Sequence, residues 1–363
     1  MSSVPGTPAL RMPALRMPAL RMPAEWEPHA ATWLAWPENL DDWGDCREPV
    51  EAEFAALVAA LTRCEPTHVL ARDPERSRAR LAELAPRAHP QIHELEAVES
   101  FLRDTGPSFV HGPEGGVAID WSFDGWGGRH PAACRDDAVA SHVAAMAGIP
   151  VHRSALHAEG GAFEVDGEGT ALATRSTLLA HNPQWSREQV EAELRDCLGV
   201  RRVVWLEGCL AGDDTGGHVD TLARFAGPGR VVRTRGGSRD ALEHLDETLR
   251  GTPDASGRTL EICELPAPTA ICHRGQPLPA SYANFYLAHG AVLVPQFGVP
   301  EDSLALERLA ELWPARKVIG VRSRVLLRGL GSIHCLTQQQ PALPESKVGQ
   351  LEAEATTTVS RET

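Results

Sequence analysis

Five side chains of this sequence have the types and surroundings that chemistry needs: Asp104, Glu159, His218, Asp220 and Cys335. They sit in the glycine-flanked polar clusters Arg103-Asp104-Thr105-Gly106-Pro107, Ala158-Glu159-Gly160-Gly161, Asp213-Asp214-Thr215-Gly216-Gly217-His218-Val219-Asp220 and Gly331-Ser332-Ile333-His334-Cys335. A thiolate is a nucleophile and an imidazole moves protons near neutral pH. Acyl transfer asks for one orienting acid. Three acids on separate loops suit a planar cation better, because a guanidinium offers a fork of N–H donors that carboxylates accept in bidentate fashion. Each residue taken alone has a plainer reading. The acids fit helix caps or Asx turns, His218 a satisfied core histidine and Cys335 a buried, inert thiol. Asp213 and Asp214 fit the turn reading best, since they open a glycine-rich turn. In an extended segment His218 and Asp220, two residues apart, point to one face and share a pocket.

The elements that must position these groups alternate between strand and helix. The run Ala30-Ala31-Thr32-Trp33-Leu34-Ala35-Trp36 reads as a buried strand stopped by Pro37. Phe54, Leu57, Val58 and Leu61 lie in helical register within a helix over roughly 48–62. A short strand over 67–70 and a charged helix over 74–84 follow. Near the C-terminus, Val318 through Leu327 reads as buried strand. Gly329 and Gly331 then turn the backbone, and a strand re-emerges near Cys335 with the polar Thr337-Gln338-Gln339-Gln340 run behind it. The clusters recur at 55, 59, 66 and 51 residues, counted from Asp104 through Glu159, His218 and Asn284 to Cys335. That layout predicts a repeated module delivering one polar loop per copy to a common centre.

Composition narrows the function classes. Hydrophobic residues make up 42% and charged residues 23% of the 363, the balance of a globular chain with a sizeable core. Acidic residues exceed basic ones by 49 to 35, a formal charge of −14 that disfavours nucleic acid as partner. No apolar run reaches membrane-span length, and no secretory signal pattern opens the chain. The eight cysteines show no CxxC spacing, which points to a reducing, cytoplasmic setting and away from structural zinc. No HExxH-like spacing calls for a metal, and no cofactor is expected. Residues 8–22 repeat Pro-Ala-Leu-Arg-Met three times, a period that fits neither helix nor strand. We expect a disordered leader over 1–21, one α/β domain over 22–342 and a disordered tail over 343–363, with activity surviving loss of the leader.

The motifs together resemble agmatine deiminases of the guanidine-modifying superfamily. The resemblance rests on MPAEWEPH at 22–29, RDTGP at 103–107, EGG at 159–161, VDGEGT at 165–170, DDTGGHVD at 213–220, ASYANFY at 280–286, VPQFG at 294–298 and GSIHCLTQQQP at 331–341. It implies a five-bladed α/β propeller of ββαβ modules. It also implies a nucleophile in Cys335 and a proton carrier in His218. Asp104 and Asp220 would grip the guanidinium, and Glu159 would orient His218. Phe101 stands two places before Arg103, where such proteins usually carry tryptophan, and Trp126 in Gly125-Trp126-Gly127-Gly128 is a second candidate pocket wall beside a core role. The stretch 173–183 departs from the family pattern, with no Glu-Cys pair and His181 before Asn182-Pro183. The implied partner is a small cationic guanidine, and a homo-oligomer stays open. Three rivals remain: a deiminase of arginine or peptidyl-arginine, a non-catalytic module of the same fold, and a Cys-His peptidase or amidase.

Overall fold

The computed structural model describes residues 20–39, 43–44, 46–97, 99–236 and 239–343. Most of the expected leader, and the expected tail from 344 onward, lie outside the described residues.

The strands form five sheets of one plan, plus a short hairpin of Cys272–His273 with Gln276–Pro277. In each sheet the first strand runs antiparallel to the second, and the second parallel to a third. The sets are Ser108–Gly112, Gly115–Ser122 and Val151–His157; Phe163–Val165, Thr170–Thr174 and Arg202–Leu206; Ala223–Gly227, Arg230–Thr234 and Glu261–Leu265; Tyr286–Ala288, Ala291–Gln296 and Lys317–Arg322. The fifth sheet joins the first and last strands of the described residues. Gln338–Pro341 pairs antiparallel with His29–Ala35, which runs parallel to Thr67–Ala71, and Gln91–Glu94 adds a further parallel strand. A parallel return needs a crossover, and a helix supplies it each time: Arg47–Leu61, Val139–Ala147, Arg187–Leu198, Arg239–Gly251 and Glu301–Leu312.

Local chemistry explains the helix ends. Ser186 and Gln189 form a reciprocal capping box at the start of Arg187–Leu198, and Gly199 at φ 75° closes it in the left-handed region. Asp73 accepts from the Arg76 amide to start Pro74–Leu84, whose proline occupies the first turn. Arg47–Leu61 buries Val50, Phe54, Leu57, Val58 and Leu61 in the same apolar cluster as Leu34, Val69 and Leu293.

Two expectations need correction. The apolar run from Val318 does not continue as strand to Leu327. It ends at Arg322, and a 3-10 turn spans Leu326–Gly329. The cause is the Glu53 carboxylate, which accepts from the amides of Val325 and Leu326 at 2.8 and 3.0 Å and removes them from any ladder. The left-handed residue of the following turn is Leu330, at φ 70°, rather than either flanking glycine. Gly329 and Gly331 serve close approach instead, because a Cβ on either would meet the Phe101 ring at 3.0 or 2.5 Å.

The fold also takes in residues from the end of the repeat. Leu20 is buried, and Arg21 exchanges backbone hydrogen bonds with His111 and pairs with Glu27 at 2.6 Å. Deleting residues 1–21 is therefore expected to cost about 2 kcal/mol more stability than deleting 1–19, the worth of one buried leucine. Calorimetric melting of the two truncations checks this, and equal stability would show that Leu20 contributes nothing.

Candidate active site

Each first strand of the five units is preceded by a short turn, and the site is assembled from those turns. Leu102–Thr105 carries Asp104, and Gly160–Ala162 begins at Glu159. Val219–Leu222 carries Asp220, with His218 at its N-cap, and Ile333–Leu336 carries Cys335. In the fifth case the amide of Asn284 closes on the carbonyl of Ser281 just ahead of Tyr286–Ala288. His218 and Asp220 thus come together on a helical turn, not by the alternation of an extended strand. Cys335 likewise sits on a helical turn, and the strand resumes only at Gln338.

The five residues do converge. The Asn284 side-chain amide donates to Cys335 Sγ at 3.1 Å, and that thiol donates to Asp220 Oδ2 at 3.5 Å. His218 Nδ1 stands 3.7 Å from Asp104 Oδ2, and its Nε2 stands 3.6 Å from Glu159 Oε2. Gly161 lies between them. A Cβ there would be 2.6 Å from His218 Nδ1, 2.9 Å from Asp104 Oδ1 and 3.3 Å from Asp220 Oδ2. Its amide instead donates to Asp104 Oδ1 at 3.0 Å. A cavity of about 230 Å³ is walled by Asp104, His218, Cys335, Phe101 and Trp126. Glu99, Asp213 and Asp214 add carboxylates to the same wall, with Arg328 and His130 as its other ionisable residues. Asp213 is held as expected of a turn, since its Oδ1 accepts from the amide and hydroxyl of Thr215.

Trp126 is both a wall and a ligand of the acid. Its indole N–H donates to Asp104 Oδ2 at 3.0 Å. Its backbone sits at φ 57° and ψ 58°, a left-handed conformation that costs a bulky residue on the order of 1–2 kcal/mol. Gly127 beside it lets the His181 ring approach, for a Cβ would lie 2.7 Å from that ring. His181 in turn faces Glu159 Oε1 at 3.3 Å.

Burial and mutual repulsion set the charges. Desolvation raises Asp104 to about 6; His218 opposes the rise, whereas Asp220 and Glu159 add to it. Burial works against charge on Glu159, but His181 and His218 outweigh it and bring the carboxyl to about 2. For His218, burial opposes the charged ring, yet Asp104, Glu159 and Asp220 lift it to about 10. Burial, followed by Asp220 and Asp104, pushes the Cys335 thiol well above its ordinary value. At neutral pH the unliganded arrangement is thus an imidazolium, carboxylates and a neutral thiol. A cation placed beside Cys335 offsets those carboxylates and favours the thiolate.

Asn284, His334, Glu25 and His181 join the site without having been assigned roles from the sequence. Asn284 and His334 lie inside motifs already singled out, and Glu25 lies in the MPAEWEPH stretch. What marks them is burial beside a carboxylate, which spacing does not encode.

The crowding at Gly161 yields a prediction. Gly161→Ala is expected to lower turnover about 100-fold by displacing His218 and Asp104, with melting shifted by only a few degrees. Steady-state rates and calorimetry on the purified variant decide, and undiminished turnover would show that the pocket tolerates the shift.

Comparison with known proteins agrees with this arrangement. The model of the Porphyromonas-type peptidyl-arginine deiminase family matches residues 21–341. The agmatine deiminase of Pseudomonas aeruginosa is 36% identical over 357 residues, covering 88% of this chain and 95% of that protein. The agmatine deiminase of Medicago truncatula is 34% identical over 363 residues, covering 88% of this chain and 96% of that one. The solved structure of the Enterococcus faecalis agmatine deiminase shares the α/β fold with a TM-score of 0.83 and 32% identity, over 89% of this chain and 96% of that one. With the match running from the first buried residues to the strand that follows Cys335, the chain belongs to the Porphyromonas-type peptidyl-arginine deiminase family.

Proposed function

We propose that the protein is an agmatine deiminase, hydrolysing the guanidinium of agmatine to N-carbamoylputrescine and ammonia, in a route towards putrescine. The observation that carries the reading is the single cavity where a thiol, an imidazolium and Asp104 meet, backed by Glu159 and Asp220. Relatives that bear this activity's name, alike over nearly their whole length, support it.

In this reading Asp104 and Asp220 hold the guanidinium nitrogens, and the bound cation favours loss of the Cys335 thiol proton to solvent, leaving the thiolate. The thiolate adds to the guanidinium carbon to give a tetrahedral adduct. His218 then protonates the departing nitrogen, ammonia leaves, and an amidino-thioether remains on Cys335. His218, now neutral, takes a proton from water; the hydroxide adds to the same carbon, and collapse expels the thiolate and the ureido product. Glu159 keeps His218 oriented through both halves. Phe101 and Trp126 flank the alkyl chain.

The acids of the cavity lining favour an ammonium tail. Glu99, Asp213 and Asp214 are among them, and His130 is bonded to Asp214 at 2.7 Å. One observation favours a second reading: Arg328 lies in the same wall, where the carboxylate of free arginine would seek a partner. A peptidase needs no such set of acids, and a pure binding module needs no thiol.

The reading extends to the whole chain. The five sheets act as blades of one propeller, each feeding its leading turn to the centre, and the domain expected over 22–342 also takes in Leu20 and Arg21. Eight unpaired cysteines support a cytoplasmic setting.

Ammonia release from agmatine, arginine and a blocked arginine peptide, measured side by side, tests substrate choice. Agmatine is expected to turn over at least tenfold faster than the others; preference for arginine would install Arg328 as a carboxylate partner. Cys335→Ser is expected to abolish turnover while still binding agmatine, and persisting turnover would remove Cys335 from the role. Binding of agmatine to Cys335→Ser should weaken as pH falls through about 6, because Asp104 is raised to about 6 and its proton cancels the charge that grips the cation. A flat binding profile between pH 5 and 7, read by calorimetry, would show that Asp104 is not the titrating grip.

A further inference from the structure

A buried ion network stands behind Asp220. His334 Nδ1 is 2.7 Å from Asp220 Oδ2, and His334 Nε2 is 2.8 Å from Glu25 Oε2. The ring is therefore held at both nitrogens. Glu25 is in turn fixed from several directions. Its Oε2 lies 2.9 Å from Arg224 and 3.4 Å from Arg103, and its Oε1 accepts from the Leu287 amide at 2.8 Å. Arg224 is itself pinned by Glu164 at 2.7 Å and by the Phe285 carbonyl at 2.9 Å. His334, Asp220 and Arg224 have 1%, 0% and 0% of their side chains exposed, so none of them exchanges these partners for water.

The two oxygens of Asp220 are used unequally. Oδ2 accepts from His334 Nδ1, from the Asn284 amide at 3.1 Å and from the Cys335 thiol at 3.5 Å. Oδ1 is buried and accepts nothing from the protein. A buried acceptor without a partner costs about 1–3 kcal/mol. Such a cost is tolerated at a site where a ligand supplies the missing donor.

We propose that His334 is a positioning residue for the reaction, with Glu25 as its anchor: the ring occupies Asp220 Oδ2 so that Oδ1 stays open to a guanidinium N–H. The inference rests on the reading of Asp220 as a guanidinium-holding group. It adds that the orientation of this carboxylate is set from below, by a residue adjacent to the nucleophile in the chain. A carboxylate free to rotate would turn its empty oxygen toward other donors and lose the cation. His334 acts through Asp220 and does not touch the substrate.

Two substitutions separate the halves of the clamp. His334→Asn keeps an N–H donor near the Nδ1 position, facing Asp220. His334→Gln keeps one near the Nε2 position, facing Glu25. Each is made in the Cys335→Ser background, and agmatine binding is read by calorimetry. His334→Gln is expected to weaken binding about tenfold or more, the worth of one charge-assisted hydrogen bond, whereas His334→Asn, which loses only the anchor, weakens it about threefold. With Cys335 restored, KM should follow the same order. Equal losses in both variants would make His334 merely structural and overturn the proposal, as would undiminished binding in His334→Gln. Should His334→Gln fail to fold, Glu25→Gln decides: binding about threefold weaker supports the clamp, and unchanged binding overturns it. Absence of agmatine binding to Cys335→Ser itself would sink the underlying function, a result distinct from any of these.

Discussion

Negative charge kept away from water is the constraint on which the structure depends. Asp104, Glu159 and Asp220 are each at most 5% exposed, and taking a carboxylate out of water costs several kcal/mol before any partner is counted. The protein offsets this in layers. His218 stands between Asp104 and Glu159, His334 stands behind Asp220, and Arg224 and Arg103 stand behind Glu25. The compensation is incomplete: Asp220 Oδ1 has no partner, and burial with Asp220 and Asp104 keeps the Cys335 thiol neutral. A site left short of positive charge has its selectivity for cations built in.

Such a balance holds only if the groups cannot drift, and the fold fixes them by repetition. Five sheets of one plan each begin after a tight turn, and leading turns pack on one another: Ile333–Leu336 on Leu102–Thr105, Leu102–Thr105 on Gly160–Ala162, and Gly160–Ala162 on Val219–Leu222. Side chains delivered from separate turns share no flexible loop, so none moves without disturbing a sheet. The closest approaches are made by backbone: Gly161 leaves room for His218 and Asp104, and Gly331 lets Phe101 lie against the segment that carries Cys335.

Much of this was legible in the sequence because it is local. The helix expected over 48–62 is Arg47–Leu61, and the strand ending before Pro37 is His29–Ala35. The helix over 74–84 is Pro74–Leu84, with its cap in Asp73. Four clusters were visible through their glycines, and Asn284 through its spacing. What escaped notice depends on distant partners. Nothing near Val325 announces that Glu53, 272 residues away, takes its amide and ends the strand. Nothing near His334 announces Glu25, 309 residues earlier. His218 and Asp220 were paired on the assumption of an extended segment. They meet because His218 N-caps a helical turn, where neighbouring side chains also converge.

The strand Gln338–Pro341 immediately follows Cys335 and completes the sheet begun by His29–Ala35, with Trp33 bonded to Gln340 across 307 residues. The opening strand therefore has no antiparallel neighbour until the ribosome has made almost all of the fold. Cys335 arrives in the same last segment. A nascent chain thus carries Asp104, Glu159, His218 and Asp220 before it carries Cys335. The cavity wall that includes Cys335 is complete only once the chain has been made through this last segment.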